Sequence, residues 1–340
     1  MAKILVTGGL GFIGSHTVVE LVNSGYEPVI VDDLSNSNPK ILDQLTKIIG
    51  YKPVFHQVDL CDEKAVANLI AKENDIEGII HFAAFKAVGE SVGLPLKYYR
   101  NNFYSLINLL NGYLSRPVNF VFSSSCTVYG QPEILPVTED APVQPAQSPY
   151  GNTKQVAEEI LKDMIASGSN YKVISLRYFN PVGAHETALI GELPIGVPQN
   201  LVPFITQTAI GKREKLTVFG DDYNTPDGSC IRDYIHVVDL AKAHVSALKL
   251  MEKESFTGYD VFNLGTGTGS SVLEVIAAFE QTTGMKLNYQ VGPARSGDVE
   301  QVWGDVTKST QKLGWKTELG LDTMMASAWE WEKYLANNPL

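Results

Sequence analysis

A glycine-rich run at the start of the chain places the strongest constraint on what it can fold into. Gly8, Gly11 and Gly14 are spaced three residues apart, after the apolar run Ile4-Leu5-Val6 and at the start of an amphipathic stretch from Ile13 to Asn23. Glycine permits a tight turn and a close approach of the backbone to a ligand, and the first N–H groups of a helix favour an anion. The pattern therefore predicts a strand, a phosphate-binding turn and a helix, as in dinucleotide-binding proteins.

Two aspartates, Asp32 and Asp33, follow the second apolar run, Pro28-Val29-Ile30-Val31. An aspartate at the end of the strand after a dinucleotide turn can accept hydrogen bonds from ribose hydroxyls and repels a 2′-phosphate. We therefore expect NAD rather than NADP as the cofactor. The alternative for this pair is a helix cap or a turn.

Short apolar runs alternate with amphipathic stretches along the first half of the chain. Further strands are predicted at residues 54–56, 78–82, 120–122 and 173–176, and a further helix at residues 63–72. Gly25 is placed to follow a helix C-terminus and Asp62 to act as an N-cap. Near-continuous apolar strands that alternate with helices predict an α/β fold, a doubly wound parallel sheet with helices on both faces.

The second half of the chain changes character after Asn180. It is richer in glycine and proline, and residues 192–198 and 220–228 are predicted to be long loops, which in compact proteins are often functional. Residues 235–239, with the helix that follows them, and residues 261–265 are expected to return to the main sheet. The two domains are therefore expected to interleave without a clean linker.

Composition disfavours several classes of partner and site. The 340 residues carry a net charge of −11, which disfavours nucleic acid or an anionic membrane as the main partner. No apolar run is long enough to cross a bilayer, and a secretion signal is not evident. Cys61, Cys126 and Cys230 are too few and too far apart to suggest a disulfide framework or a metal site. We therefore expect no metal, and the cytoplasm as the compartment.

A tyrosine and a lysine carry the predicted chemistry. Tyr150 and Lys154 are four residues apart, so on a helix they would share one face. A free tyrosine has a pKa of about 10 and is a poor base at neutral pH, but an adjacent cation stabilises the phenolate and lowers that pKa. Together with a dinucleotide turn and the serine run Ser123-Ser124-Ser125, the pair predicts a proton-transfer site beside a cofactor.

Together these motifs resemble the extended short-chain dehydrogenase/reductase family. Besides the glycine turn and the Tyr150–Lys154 pair, the resemblance is carried by residues 81–91, 125–130, 176–184 and 230–237, and it runs from Lys3 to about Glu332. It is closest to members that invert carbon 4 of a UDP-hexose. The resemblance implies a Rossmann-type NAD-binding domain over residues 1–180, with returns near 231–266, and a smaller, interleaved UDP-sugar-binding domain over residues 181–340.

The resemblance also implies which residues hold the ligands. Those expected at NAD are Gly8, Gly11, Phe12, Ile13, Gly14, Asp32, Asp33, Asp59, Leu60, Phe82, Ala83, Ala84, Lys86, Asn101, Ser125, Tyr150, Lys154 and Phe179. Those expected at the UDP-sugar are Ser125, Tyr150, Asn180, Asn200, Leu201, Phe219, Arg232, Arg295, Asp298 and Val302. Other interpretations stay open for some of them: Phe219 as core, Arg295 and Asp298 as a surface ion pair, and Lys86 as a solvated side chain. His81 ends a buried strand and is expected to be a core histidine.

The activity that the resemblance implies is the interconversion of UDP-glucose and UDP-galactose by transient oxidation at carbon 4. Tyr150 would take the 4-hydroxyl proton, Lys154 would keep Tyr150 ionised and bond the nicotinamide ribose, and Ser125 would relay the proton. A homodimer is expected, through helices near residues 95–113 and 150–166. The alternatives are an epimerase of UDP-uronic acids and, from another class, a non-catalytic dinucleotide-sensing protein, which would not need the three side chains together.

Three positions depart from the family pattern. Cys126 stands where alanine commonly follows the serine, and Asp33 where many relatives carry asparagine. Neither Cys126 nor Thr127 supplies the acidic group expected of a dehydratase or a decarboxylase. Val302 stands where some bacterial relatives carry tyrosine, at a position that lines the sugar pocket in the family. Because valine leaves space, we hypothesise that UDP-N-acetylglucosamine and UDP-N-acetylgalactosamine are also accepted; the alternative is that Val302 is ordinary core.

Overall fold

Strands and helices alternate through the part of the chain that the computed structural model describes, residues 1–294 and 299–340. The strands are β1 (Lys3–Thr7), β2 (Glu27–Asp32), β3 (Val54–Gln57), β4 (Ile76–His81), β5 (Val118–Ser125), β6 (Tyr171–Tyr178), β7 (Asn180–Val182), β8 (Leu216–Phe219), β9 (Ile231–Arg232), β10 (Tyr234–His236), β11 (Tyr259–Leu264), β12 (Ser270–Ser271), β13 (Tyr289–Gly292) and β14 (Gln301–Val302). The helices are α1 (Phe12–Asn23), α2 (Lys40–Ile49), α3 (Glu63–Lys72), α4 (Val88–Gly93), α5 (Pro95–Tyr113), α6 (Pro149–Ala166), α7 (Leu201–Ala209), α8 (Val237–Met251), α9 (Val272–Thr283) and α10 (Leu321–Asn337). A 3₁₀ turn covers Cys126–Tyr129, and a π-helical turn covers Ser309–Leu313.

One large parallel sheet organises the first half of the chain. Its strand order is β3-β2-β1-β4-β5-β6-β11, and all of its neighbouring strands are parallel. The predicted doubly wound parallel sheet is therefore confirmed. The chain runs outward from β1 to β3 and then crosses to β4 on the other side of β1, so a crevice opens beyond the carboxyl ends of β1 and β4. In open α/β sheets, ligands bind in this crevice.

Alternate side chains of the sheet supply two apolar cores. Ile4, Val6 and Ile30 point to the face that carries α1 and α8, whereas Leu5 and Val29 point to the face that carries α3, α5 and α6. This alternation follows from the two-residue period of a strand. Full burial stabilises each aliphatic side chain by about 1.5–3 kcal/mol, so both faces hold the carboxyl edge of the sheet in a defined position.

Two predicted helix ends are present. Asp62 precedes α3 and accepts hydrogen bonds from the backbone N–H groups of Lys64, at 2.9 Å, and Ala65, at 3.1 Å. Gly25 directly follows Ser24, the C-cap of α1, with a positive φ of 82°. Among the helices of the described residues, none combines the length and the apolar character that a membrane span requires.

Of the two segments of the second half that were expected to return as strands to the main sheet, only residues 261–265 do so. Strand β11 pairs with β6 and forms the edge of the sheet. The expectation that residues 235–239 also join it is wrong for the strand, because β10 pairs with β7 in a separate two-stranded sheet. Only the following helix, α8, packs on the main sheet, through Leu240, Ala243 and Leu248. Two further small sheets, β12-β9-β14 and β13-β8, complete this half.

Candidate active site

The glycine turn after β1 packs closely against the start of α1. The backbone N–H of Gly8 donates to the carbonyl of Val31 at 2.7 Å, and Gly8 adopts a φ of +67°. A Cβ on Gly14 would collide with the carbonyl oxygen of Gly8 and lie 2.8 Å from the Cα of Gly9. Gly11, the N-cap of α1, offers no side-chain cap. The turn therefore presents helix N–H groups to an anion, which fits the diphosphate of a dinucleotide.

Asp32 joins the end of β2 to this turn. Its carboxylate accepts hydrogen bonds from Leu10 N at 3.0 Å, Leu34 N at 3.0 Å and Ser37 Oγ at 2.7 Å. Burial raises its pKa, and these hydrogen bonds oppose the rise. The turn interpretation of the pair therefore holds, since Asp33 also accepts from Ser35. It leaves the ribose interpretation open, because a carboxylate has about four acceptor positions.

The other residues predicted at the cofactor gather along the same edge of the sheet. They follow the carboxyl ends of successive strands: Asp59 and Leu60 after β3; Phe82, Ala83, Ala84 and Lys86 after β4; Ser125 at the end of β5; and Phe179 after β6. Asn101 lies on α5, where its main-chain and side-chain oxygens lie 3.6 Å and 3.7 Å from Cys61 Sγ. Their roles remain predictions, but the fold brings them to one crevice.

The predicted catalytic side chains lie where β5 meets α6. Ser125 is the last residue of β5, and Ser148 caps α6 by accepting from Gly151 N at 3.1 Å. Tyr150 and Lys154 are 8% and 5% exposed. The Nζ of Lys154 donates to the carbonyl of Ser123 at 2.6 Å and lies 5.9 Å from the ring centroid of Tyr150. Helix α6 thus holds both side chains against the end of β5.

Burial governs the proton affinities of this pair. It raises the pKa of Tyr150 far above its usual range, with smaller contributions from Tyr178, which raises it further, and from a hydrogen bond with Ser125, which lowers it. Burial also lowers the pKa of Lys154 to about 7, against the attraction of Glu158. Burial therefore outweighs the other influences on the pKa of Tyr150 in the ligand-free chain, because loss of water disfavours the charged forms of both side chains. That Lys154 stabilises the Tyr150 phenolate stays a prediction.

His81 is a core residue, as the sequence indicated. Its Nδ1 lies 2.8 Å from Oγ1 of Thr7, and its ring stacks near Phe122. Burial lowers its pKa to about 3, so the ring is neutral at physiological pH and has no free charge to offer as a base.

The residues predicted at the UDP-sugar come from several elements of the second half. Asn180 begins β7, Asn200 stands at the N-cap position of α7 ahead of Leu201, and Arg232 lies on β9, paired in register with Val302 of β14. Phe219 ends β8 and is 39% exposed, so the core interpretation of it is wrong. Arg295 and Asp298 lie outside the described residues. Val302 is 9% exposed and packs in a small apolar cluster with Phe179 and Tyr129, which leaves both interpretations of it open.

Three polar residues escaped the sequence analysis. Glu192 lies 3.6 Å from Lys86 and accepts from Asn200 at 2.6 Å, so it links the predicted cofactor and sugar sites; Lys86 is therefore not merely solvated. Glu158 and Arg177 form a buried ion pair. The sequence could have indicated Glu158, because it lies one helical turn after Lys154 on α6. It gave no such signal for Arg177, which lies on β6.

The fold and the arrangement of Ser125, Tyr150 and Lys154 define the short-chain dehydrogenase/reductase class, in its extended form. The family described as GDP-mannose 4,6 dehydratase matches residues 5–328 of the chain. Curated proteins named UDP-glucose 4-epimerase are 50% identical over 337 residues in Bacillus subtilis, covering 98% of each chain, and 50% identical over 336 residues in Dictyostelium discoideum, covering 98% of this chain and 97% of that protein. The chain belongs to the UDP-glucose 4-epimerases of this family.

Two solved structures have the same fold over nearly the whole chain. The Stenotrophomonas maltophila UDP-glucose-4-epimerase with bound NAD and formylated UDP-arabinopyranose has a TM-score of 0.95 at 44% identity. The Bifidobacterium longum UDP-glucose 4-epimerase in complex with NAD+ and UDP has a TM-score of 0.93 at 45% identity. Each comparison covers 99% of both chains.

Proposed function

We propose that this protein interconverts UDP-glucose and UDP-galactose by transient oxidation at carbon 4 of the sugar, with NAD as its cofactor. The observation that carries the proposal is the convergence of Ser125, Tyr150 and Lys154 at the edge of the sheet that also holds the glycine turn. The names of the relatives and the ligands of the two solved structures support the same activity. A non-catalytic dinucleotide sensor has no use for this set of side chains, and a dehydratase is disfavoured by Cys126 and Thr127.

The residues present fit NAD. The glycine turn and the start of α1 would hold the diphosphate, and Asp32 would accept from a ribose hydroxyl. The Nζ of Lys154, which now donates to Ser123, would also bond the nicotinamide ribose. When bound, NAD would supply the acceptor and donor of the hydride at carbon 4 and would be regenerated in each cycle.

The chain's own residues would move the proton. Tyr150 takes the 4-hydroxyl proton as carbon 4 is oxidised, with Ser125 holding the hydroxyl and relaying the proton. Lys154 has to be charged for this step, because a cation stabilises the phenolate of Tyr150. The 4-keto sugar then presents its other face, and Tyr150 returns the proton. Arg232, Asn200 and Phe219 would hold the UDP end while the sugar turns, since guanidinium suits a diphosphate and an exposed aromatic ring can stack on uracil.

The direct test uses the purified protein without added cofactor. Separate incubations with UDP-galactose, UDP-N-acetylgalactosamine and UDP-galacturonate are followed by chromatographic resolution of the products, and the nucleotide released on denaturation is identified by its spectrum. We expect UDP-glucose from UDP-galactose, and NAD as the released nucleotide. Turnover of UDP-galacturonate alone would favour the uronate epimerase, and bound NAD without any turnover would favour the sensor.

Removal of the Asp32 carboxylate should weaken NAD and relax discrimination against NADP. In Asp32→Ala the 2′-phosphate no longer meets a carboxylate, but the N–H groups of Leu10 and Leu34 also lose their acceptor, at a cost of about 1–3 kcal/mol each if they stay buried. Asp32→Asn keeps an acceptor and removes only the charge, so it separates the two effects. Cofactor content and preference are measured after purification. Unchanged NAD retention with unchanged discrimination in both variants would place Asp32 outside the cofactor site.

We also propose that N-acetylated UDP-hexoses are substrates, because Val302, which pairs in register with Arg232, is smaller than the tyrosine that some relatives carry at this position. Val302→Tyr should suppress turnover of the acetylated pair selectively, by steric exclusion, while UDP-galactose is still converted. Val54→Tyr, the same change at an exposed position near the amino edge of the sheet, is the control. A wild type that fails to convert either acetylated sugar would contradict this proposal.

Two further proposals concern assembly and compartment. Several large apolar side chains on α4 and α5 are exposed, among them Val92, Leu96 and Tyr104, which supports a homodimer built through α5 and α6. All three cysteines are free, which is compatible with a cytoplasmic location. Light scattering of the purified protein measures the oligomeric state, and a monomer at micromolar concentration would contradict the first of these proposals.

A further inference from the structure

A buried carboxylate lies one helical turn beyond Lys154. Glu158 is 3% exposed and Arg177, from β6, is 2% exposed. The Nε of Arg177 donates to Oε1 of Glu158 at 2.9 Å, and its Nη2 donates to Oε2 at 2.6 Å. Arg177 is held in turn by the carbonyl of Glu139, at 3.2 Å, and its guanidinium lies 4.8 Å from the ring centroid of Tyr129. This two-pronged geometry fixes the carboxylate in one position.

The same carboxylate ties α6 to the strand that carries the catalytic serine. Oγ of Ser124 donates to Oε1 of Glu158 at 2.6 Å. Ser124 stands between Ser123, whose carbonyl accepts from Lys154, and Ser125, the predicted proton relay. Glu158 therefore links α6 to β5 at Ser124, the residue between the Lys154 acceptor Ser123 and the predicted proton relay Ser125.

Glu158 is also the anion that opposes the loss of the Lys154 proton. Burial lowers the pKa of Lys154 to about 7, and the attraction of Glu158 raises it. Lys154 also lies near the Tyr150 ring and interacts electrostatically with His81 on β4. The elements packed against α6 carry these further titratable or charged groups: Tyr171, Lys172, Arg177 and Tyr178 on β6, Cys126 and Tyr129 in the 3₁₀ turn, Glu90 on α4, Lys97, Tyr98, Tyr99, Arg100, Tyr104 and Tyr113 on α5, and Tyr259 and Asp260 on β11. His81 is neutral, and Glu90 already binds Lys97 and Tyr98.

We propose that Glu158, held by Arg177 and Ser124, is a positioning residue that keeps the Lys154 ammonium charged and aligned with Tyr150. The inference rests on the proposed function, since it deepens the account of the same proton transfer. A neutral Lys154 could not stabilise the Tyr150 phenolate. Removal of the Glu158 charge would leave the buried Arg177 guanidinium without its carboxylate, and an unpaired like charge disfavours the Lys154 ammonium.

The sign of the pH effect follows from the role of the proton. Lys154 has to be protonated, so activity falls as the pH rises through its pKa. Without the anion that pKa drops, and the alkaline limb of the kcat profile moves to lower pH by about one unit. In Glu158→Gln we expect roughly a tenth of the wild-type kcat at about pH 8, and a difference below about threefold at about pH 6. Glu159→Gln, an exposed neighbour on the same helix, should match the wild type.

Three companion measurements separate charge from structure. Glu158→Gln/Arg177→Met removes both charges, so no unpaired guanidinium is left to unfold the chain, and it should shift the limb in the same direction. Glu158→Asp keeps the charge and should retain the wild-type limb. NMR titration of the lysine ¹³Cε resonance that disappears in Lys154→Arg reports the pKa directly, without turnover, and its midpoint should fall in Glu158→Gln.

Each outcome decides the inference. A folded Glu158→Gln or double variant with an unshifted limb and an unshifted Lys154 resonance would overturn it. Failure of both variants to fold, with Glu158→Asp fully active, would assign the pair to folding alone and would also overturn it. A wild type without epimerase activity would contradict the proposed function. Even then, a lower Lys154 midpoint in Glu158→Gln than in the wild type would support the link between Glu158 and Lys154.

Discussion

Tyr150→Phe is expected to lower kcat by about 10²–10⁴-fold, the usual contribution of a general base, without loss of the fold. The substitution deletes one hydroxyl and keeps the ring, which packs at the start of α6 and is almost fully buried. Burial already raises the pKa of the phenol in the ligand-free chain, so the deleted group matters only once Lys154 and the bound ligands stabilise its anion.

The measurement is steady-state conversion of UDP-galactose by the wild type and by Tyr150→Phe, with NAD content and the thermal midpoint recorded for both. Tyr51→Phe removes the same hydroxyl from an exposed ring and should behave as the wild type. Near-native turnover by Tyr150→Phe would contradict the assignment of Tyr150 as the base. Loss of NAD from this variant would instead indicate a role in holding the cofactor.

Gly14→Ala is expected to weaken NAD binding by about tenfold to a hundredfold. The added Cβ would collide with the backbone of Gly8 and Gly9, so the turn has to open away from α1. Overpacking of this kind costs about 1–3 kcal/mol, and each 1.4 kcal/mol is about tenfold in affinity. Because the turn is the predicted diphosphate site, this cost falls on the cofactor.

NAD content after purification and NAD affinity measured by titration test this prediction. Gly93→Ala, on α4, is the control, since its added Cβ would meet nothing within 4 Å. Unchanged NAD content in Gly14→Ala, with the fold intact, would show that the turn does not contact the diphosphate.

Local pattern predicted most of the sheet but not every strand partner. The apolar runs from β1 to β6 are recognisable because each is bounded by a turn or a helix signal, and Asp62 caps α3 through neighbours two and three residues away. The segment that contains β10 was also expected to join the main sheet, yet β10 pairs with β7. Strand pairing depends on which segment is nearby in space, and the sequence of one strand does not carry that information.

The sequence likewise predicted some features of the candidate site and missed others. The sequence placed Tyr150 and Lys154 on one helix face, since a spacing of four is decided by the helix itself. It missed the effect of burial on both pKa values, because burial depends on distant segments such as β5, whose Phe122 ring and Ser123 carbonyl contact Lys154. It also missed the partner of Glu158, because Arg177 is 19 residues further along the chain.

By itself, the sequence determined the strand–turn–helix unit of residues 3–23, the alternation that makes a parallel sheet, and the Tyr150–Lys154 face. These features depend on spacings of two to four residues, which the backbone converts directly into strands, turns and helices. Only the tertiary structure decided that Lys154 is buried beside a fixed carboxylate and that Val302 packs near Phe179. Those environments are made by side chains from distant segments, and charge and packing respond to what surrounds a group in space.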